Sequence, residues 1–159
     1  MFLDSRRVWA GVGLIAETPE NRILMNLRSN IPTIRFGNHW SIPTGKVENQ
    51  DFREDSIDTL ETALRREVGE EIFVRTELGL APLSLGALTL FCYNRFVFPG
   101  EAMPSYQFAF KGRLEVPIGR LELHEGTGLG LFDKHEAKNL LIAPSYKDII
   151  DLYFSRNGH

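Results

Sequence analysis

Three glutamates, Glu67, Glu70 and Glu71, fall within five residues in the run Arg66-Glu67-Val68-Gly69-Glu70-Glu71. In a helix, successive residues step by about 100° around the axis, so Glu67 and Glu71 lie nearly in register with Glu70 beside them. Leu60, Ala63, Leu64 and Val68 form a separate apolar stripe at helical spacing, which predicts burial of the other side of the same helix. Like charges at i, i+3 and i+4 repel, so gathering three of them lowers stability unless a cation sits among them. Carboxylate oxygens suit a hard divalent cation such as magnesium, whereas a solvated acidic face is the plainer outcome for a charge run. Arg66, four residues before Glu70, is placed to orient that carboxylate.

Taken with its surroundings, the run resembles the Nudix hydrolase signature, G-x5-E-x7-R-E-U-x-E-E-x-G-U, where U is a bulky aliphatic residue. Arg66, Glu67, Val68, Glu70, Glu71 and Val74 match its second half position by position. The four charged matches would coincide by chance about once in tens of thousands of starting points. The preceding Trp40-Ser41-Ile42-Pro43-Thr44-Gly45-Lys46-Val47-Glu48 is similar to the family's W-x-L-P-G-G-x-x-E approach. Three positions depart from the pattern. Thr44 stands for the first of two glycines, Asp58 for the first motif glutamate, and Phe73 for the glycine that usually ends the helix. The interval from Gly45 to Asp58 exceeds the family's by about seven residues, filled by the polar segment around Asn49 to Ser56. Because phenylalanine enters the left-handed conformation poorly, the helix is expected to end by another route than a glycine cap.

The resemblance implies an α/β fold, a Nudix-type α/β/α sandwich with a mixed, curved sheet, over a single domain spanning 1–159. It implies an enzyme, a pyrophosphohydrolase cleaving a diphosphate linkage in a nucleoside diphosphate derivative: a sugar nucleotide, ADP-ribose, a dinucleoside polyphosphate or an NTP. The cofactor is Mg2+ or Mn2+, with Gly45 (through its carbonyl), Glu67, Glu70, Glu71 and Glu125 as metal ligands. Catalytic duties fall to the same four glutamates and to Arg66 as a positioning group. Arg28 and Arg35 lie where many Nudix proteins carry a basic residue near the substrate phosphates. Trp40, with Phe36, is a candidate base platform, and Glu48 is left between metal, substrate and solvent. The competing reading is a non-catalytic Nudix-like nucleotide sensor. An isoprenoid diphosphate isomerase on the same fold needs a cysteine in a matching motif, which Cys92 lacks.

Length and charge narrow the partners. A chain of 159 residues is large enough for one substantial core, and 43% hydrophobic with 25% charged residues is ordinary for a globular protein. A net charge of −3 argues against a nucleic-acid polymer or an anionic membrane surface, and the resemblance implies a small-molecule nucleotide as the partner. A single cysteine fits a reducing, cytoplasmic setting, and neither a signal peptide nor a membrane span is read in the sequence.

Local patterns predict strands at Val8 to Ala16 and Arg22 to Leu27 across a turn at Thr18 to Asn21, and a short strand at Trp40 to Pro43. They predict a helix beginning between Asp55 and Asp58, with Asp58-Thr59-Leu60-Glu61 at capping-box spacing. Two long strands follow, over Leu83 to Phe98 and Tyr106 to Val116, rich in aromatics: Phe91, Tyr93, Phe96, Phe98, Tyr106, Phe108 and Phe110. Any one of these is more readily core than base platform, and exposed members would suit a homodimer. A glycine-bearing loop at Leu123 to Gly128 carries Glu125. Helices are predicted over Lys134 to Leu141, capped by Asp133, and over Ser145 to Phe154, capped by Ser145, on the face of the sheet opposite the motif helix.

Overall fold

The computed structural model describes residues 9–157; Val8, expected to open the first strand, lies outside them. Strand β1, Trp9–Glu17, leads through the Thr18–Asn21 turn into β2, Ile23–Leu27. Asn21 takes φ 60° in that turn, a left-handed value that asparagine tolerates. The expected strand at Trp40 to Pro43 divides into β3, Trp40–Ser41, and β4, Thr44–Lys46. Proline has no N–H for a ladder, and around Pro43 the chain passes from pairing with β2 to pairing with β1.

The motif helix α1 spans Ser56–Glu71 and starts within the expected window, but its cap is Asp55. The Asp55 carboxylate accepts from the N–H groups of Ile57 at 2.8 Å and Asp58 at 3.1 Å, leaving Asp58 exposed in the first turn. Leu60, Ala63, Leu64 and Val68 are all buried, as the stripe requires. At its other end the helix stops without a glycine: Ile72 is already extended, and the chain runs straight into β5, Ile72–Thr76. Phe73 is therefore a strand residue.

A hairpin joins β5 to β6, Gly79–Pro82, which the sequence pattern did not reveal. Of the apolar stretch 83–98, only Thr89–Phe96 forms a strand, β7, bent by an irregularity between Leu90 and Cys92. Then come β8, Ser105–Arg113; β9, Leu121–Leu123; and β10, Gly128–Phe132. Asp133 caps α2 as expected, but that helix lasts only from Lys134 to Ala137. Helix α3 spans Pro144–Arg156 with Ala143 at the cap position, so Ser145 lies inside the first turn.

The larger sheet runs β10-β2-β1-β8-β7, with β3 on β2 and β4 on β1; β6-β5-β9 form a smaller one. Strands β1 and β8 are parallel, from Trp9 opposite Ser105 to Glu17 opposite Arg113, and the other pairs are antiparallel. Val12, Leu14 and Ala16 of β1 meet the buried stripe of α1, while Ile15 meets Ile149, Ile150 and Tyr153 of α3. The result is the expected α/β/α sandwich around a mixed sheet. No described helix is long and apolar enough to cross a membrane.

Candidate active site

Strand β4 lies so close to α1 that a Cβ at position 45 would stand 2.1 Å from Glu67 Cγ. Glycine is required there because the glutamate side chain passes directly over the backbone. The Lys46 N–H reaches Glu67 Oε1 at 3.3 Å, and burial raises the Glu67 pKa above its ordinary value.

Beneath Glu67, Arg66 forms a closed network. Its Nε donates to Asp51 Oδ1 and its Nη2 to Asp51 Oδ2, both at 2.8 Å, a two-pronged pair of the strongest kind. Nη2 also donates to the Lys46 carbonyl at 2.9 Å, and Nη1 to Glu67 Oε1 at 3.1 Å and Glu70 Oε2 at 3.3 Å. Asp51 is 1% exposed. Burial alone would push its carboxyl up, but the Arg66 hydrogen bonds more than offset this and hold it below the usual carboxylate range.

This overturns the place given to Asp58. Gly45 and Asp51 are separated by five residues, the interval the motif has between its glycine and its first glutamate. The extra residues accordingly follow the motif's first carboxylate, between Asp51 and Arg66, and do not precede it. Asp51 went unread because the insertion was placed ahead of the carboxylate; trying it on either side would have found it.

A second carboxylate pair has the opposite character. Glu71, at the last turn of α1, meets Glu125 from the loop at 124–127, and both line a cavity of about 350 Å³. Burial, then repulsion from Glu125 and Glu67, pushes the Glu71 pKa up to about 8. The half-buried Arg28 guanidinium faces both carboxylates; its own pKa is lowered by burial. The loop is tied to the helix by the His124 N–H donating to the Glu71 carbonyl at 2.7 Å. Phe73 stacks on the His124 ring with centroids 4.1 Å apart, so the residue in the usual glycine's place braces the loop that carries Glu125.

The cavity gathers Gly45, Glu67, Glu71, Glu125, Arg28, Arg35 and Glu48. Three of the expected residues lie elsewhere. Glu70 is turned to Arg66 with its side chain 60% exposed, Arg66 sits under Glu67, and the Trp40 ring packs edge-on against Phe132 at 4.9 Å in the core beside α3. Of the aromatic candidates, Phe36 and Phe98 line the cavity mouth and stack at 6.0 Å, while Phe108 and Phe110 are fully buried core. Arg35 lies over the Phe98 ring at 4.4 Å and pairs with Glu101. Asn26, Gln107 and Tyr146 also line the cavity, and no sequence signal had marked them.

Among the described residues, no three His, Cys, Asp or Glu side chains close around a single point as a self-sufficient metal cage. The donor set still suits a hard divalent cation. Glu67, Glu71 and Glu125 crowd negative charge into one partly desolvated end, and a cation held from one side keeps positions for substrate oxygens, as magnesium usually does.

A mixed sheet between helical layers, with paired carboxylates at the end of the motif helix, defines a Nudix-type α/β/α protein. Residues 8–153 match the NUDIX domain, and the chain belongs to the Nudix family of pyrophosphohydrolases. No curated protein sequence matches it. Among solved structures it is similar to the NUDIX domain of Shewanella oneidensis NrtR complexed with ADP ribose, at 14% identity over 98% of this chain and 90% of that one, with a TM-score of 0.67. It is similar to the MutT protein of Methanosarcina mazei Go1 at 16% identity, covering 99% of this chain and all of that one, with a TM-score of 0.63. A C. elegans Ap4A hydrolase follows at 17% identity, with 92% and 97% covered and a TM-score of 0.56. At these identities the likeness establishes the fold.

Proposed function

We propose that the chain acts as a single Nudix hydrolase domain over 1–159, cleaving the diphosphate linkage of a nucleoside diphosphate derivative with Mg2+ or Mn2+. The observation that carries this reading is the Glu71–Glu125 pair, a largely buried carboxyl brought against a second carboxylate, with both facing Arg28 inside a nucleoside-sized cavity. Glu67, Glu71 and Glu125, with the Gly45 carbonyl, are the groups that would hold the cation; Glu70, bonded to Arg66 outside the cavity lining, would have to leave that partner to join them. A bound divalent cation neutralises phosphate oxygens and lowers the pKa of water. Arg28 binds the phosphate chain from the β2 side. One of Glu71, whose pKa burial pushes up to about 8, and Glu125 beside it takes the proton of the attacking water as the linkage opens in line with the leaving phosphate. Arg66 positions Glu67 and does not react.

ADP ribose and Ap4A, named with two of the similar structures, support a substrate of the nucleoside diphosphate type. One cysteine in 159 residues supports a cytoplasmic setting, and the 60% exposed Tyr93 on β7 offers a face for a homodimer. The test is phosphate release from a nucleotide panel with Mg2+ or Mn2+, coupled to a phosphatase, for wild type, Glu70→Gln and Glu71→Gln. Turnover lost in Glu71→Gln is the expected result. No turnover on any substrate, with nucleotide-dependent thermal stabilisation intact, would replace hydrolysis with the sensor reading.

A further inference from the structure

Beside its carboxylates the cavity carries neutral polar groups that the fold leaves unsatisfied. Tyr146 is 3% exposed, lines the cavity, and its hydroxyl finds no hydrogen-bond partner among the described residues. Asn26 is 8% exposed, lines the same cavity, and its Oδ1 finds none either. Gln107, 3% exposed, donates its Nε2 to Ser105 Oγ at 2.7 Å, and its Oε1 lies over Gly11. A Cβ at position 11 would stand 2.1 Å from that oxygen and 3.3 Å from the Tyr146 hydroxyl, so the bare backbone of β1 makes room for both.

These side chains come from β2, β8 and α3, and although the Tyr146 ring packs in the core, its hydroxyl and the Asn26 Oδ1 are left without partners there. Buried polar groups without partners cost stability, so their presence around one cavity calls for a ligand that completes them. The same cavity has an apolar and aromatic part, lined by Phe36, Phe98 and Met103. Aromatic faces and unpartnered hydrogen-bonding groups lining one cavity match a planar heteroaromatic ring. Asn26 Oδ1 is left without a partner and Gln107 Oε1 is a second amide oxygen at the cavity; both accept, so a ring with N–H donors at its edge suits them.

We propose that Asn26, Gln107 and Tyr146 determine specificity by reading the edge of a nucleobase that carries an exocyclic amine. The identification of the ring as a nucleobase rests on the phosphate-handling role of the acidic end. The amine donates to the carbonyl oxygens of Asn26 and Gln107, and the Tyr146 hydroxyl bonds to a ring or keto position beside it. Burial raises the Tyr146 pKa, keeping the phenol protonated and able to donate.

The test uses nucleosides without phosphate or metal, so that it does not depend on hydrolysis. Binding of guanosine against inosine, and of adenosine against purine riboside, is followed by NMR titration of the intact protein. The amine-bearing member of each pair should bind about 5- to 20-fold more tightly, the worth of one hydrogen bond in a site built for it. Gln107→Leu should close that gap. Tyr146→Phe, which keeps the packed ring, should bind both members more weakly while its Tm rises above wild type, because an unpartnered buried hydroxyl has been removed. Equal affinity within both pairs, or no nucleoside binding at all, would overturn the proposal. A Tyr146→Phe variant with unchanged affinity and a lowered Tm would assign the hydroxyl to structure and overturn its part. If nucleosides bind in the expected pattern and no nucleotide is hydrolysed, base recognition survives while the hydrolase reading fails.

Discussion

Two groups of charges lie a single turn apart on α1 and are treated in opposite ways. Around Arg66 every charge is answered: two prongs to Asp51, a carbonyl from β4, and two flanking glutamates. Asp51 consequently sits below its ordinary pKa although it is almost wholly buried. Around Glu71 the balance is reversed, because burial and two neighbouring glutamates outweigh the single Arg28 and lift the pKa to about 8. A closed network stabilises its own geometry, whereas an open one stores a cost that a ligand removes. The first is thus a scaffold for the second, joined to it through Glu67, which touches Arg66 on one side and the cavity on the other.

The contrast should show most strongly in activity. Glu71→Gln is expected to lower turnover by about 10²- to 10⁴-fold, the range for losing a positioned proton acceptor. Yet its metal-free Tm at pH 8 should exceed that of wild type, because the substitution removes charge that the fold cannot solvate. A parallel fall in Tm and activity would make Glu71 structural and erase the distinction.

Arg66→Met should do the reverse. It strips the partner from a carboxylate 1% exposed and should cost about 3–5 kcal/mol in urea unfolding, the penalty for an unpaired buried charge. Converting Asp51 to Asn in the same chain should recover much of that loss without restoring turnover, since Glu67 would still lack its guide. If the double variant is no more stable than the single one, the Arg66–Asp51 pair is not the source of the penalty.

The two networks also oppose each other in pH. Glu71 has a folded pKa of about 8 against an ordinary value of 4.5, so the folded state holds a proton that the unfolded state gives up between them. Its contribution to stability is complete below about pH 4.5 and is lost as pH rises to about 8. Asp51, with a lowered pKa, contributes in the other sense, losing its share only in acid as pH falls below its ordinary 3.8. The metal-free Tm should therefore decline from pH 5 to pH 8. Glu71→Gln should flatten the decline, as should saturating Mg2+, and a slope unchanged in both would place the titration elsewhere.

Periodicity was enough to read the buried side of this helix: Leu60, Ala63, Leu64 and Val68 repeat at helical spacing, and all are buried. The carboxylates of the open half were legible by resemblance, including Glu125 in a loop where no local pattern marks it. Asp51 was not, because an insertion of about seven residues can be placed on either side of the carboxylate and only tertiary contact decides. Asn26, Gln107 and Tyr146 were illegible for another reason. Asn26 is a lone polar residue in an apolar strand, Gln107 and Tyr146 stand unmarked among other polar residues, and what makes the three a set is the pairing of Gly11 with Gln107 and the approach of α3. Phe73 was read as a lost cap when it is a ring packed on His124, because the helix gives way to a strand one residue earlier.

Phe73 provides the finest probe of the two networks, since it touches neither directly. It holds the loop at 124–127 by stacking on His124, whose N–H is bonded to the Glu71 carbonyl. Phe73→Leu keeps an apolar side chain on β5 and removes the ring, and the lost stacking is worth about 0.5–1.5 kcal/mol. Were the loop part of the closed scaffold, that loss would appear in global unfolding. If it belongs to the open half, where Glu125 is brought to Glu71 against repulsion, the loop should relax and most of the loss should appear as weaker Mg2+ binding, several-fold in Kd by calorimetry, with the urea midpoint nearly unmoved. A shifted midpoint with unchanged Mg2+ affinity would move Glu125 and its loop into the scaffold, leaving Glu71 as the open network's remaining member on that side.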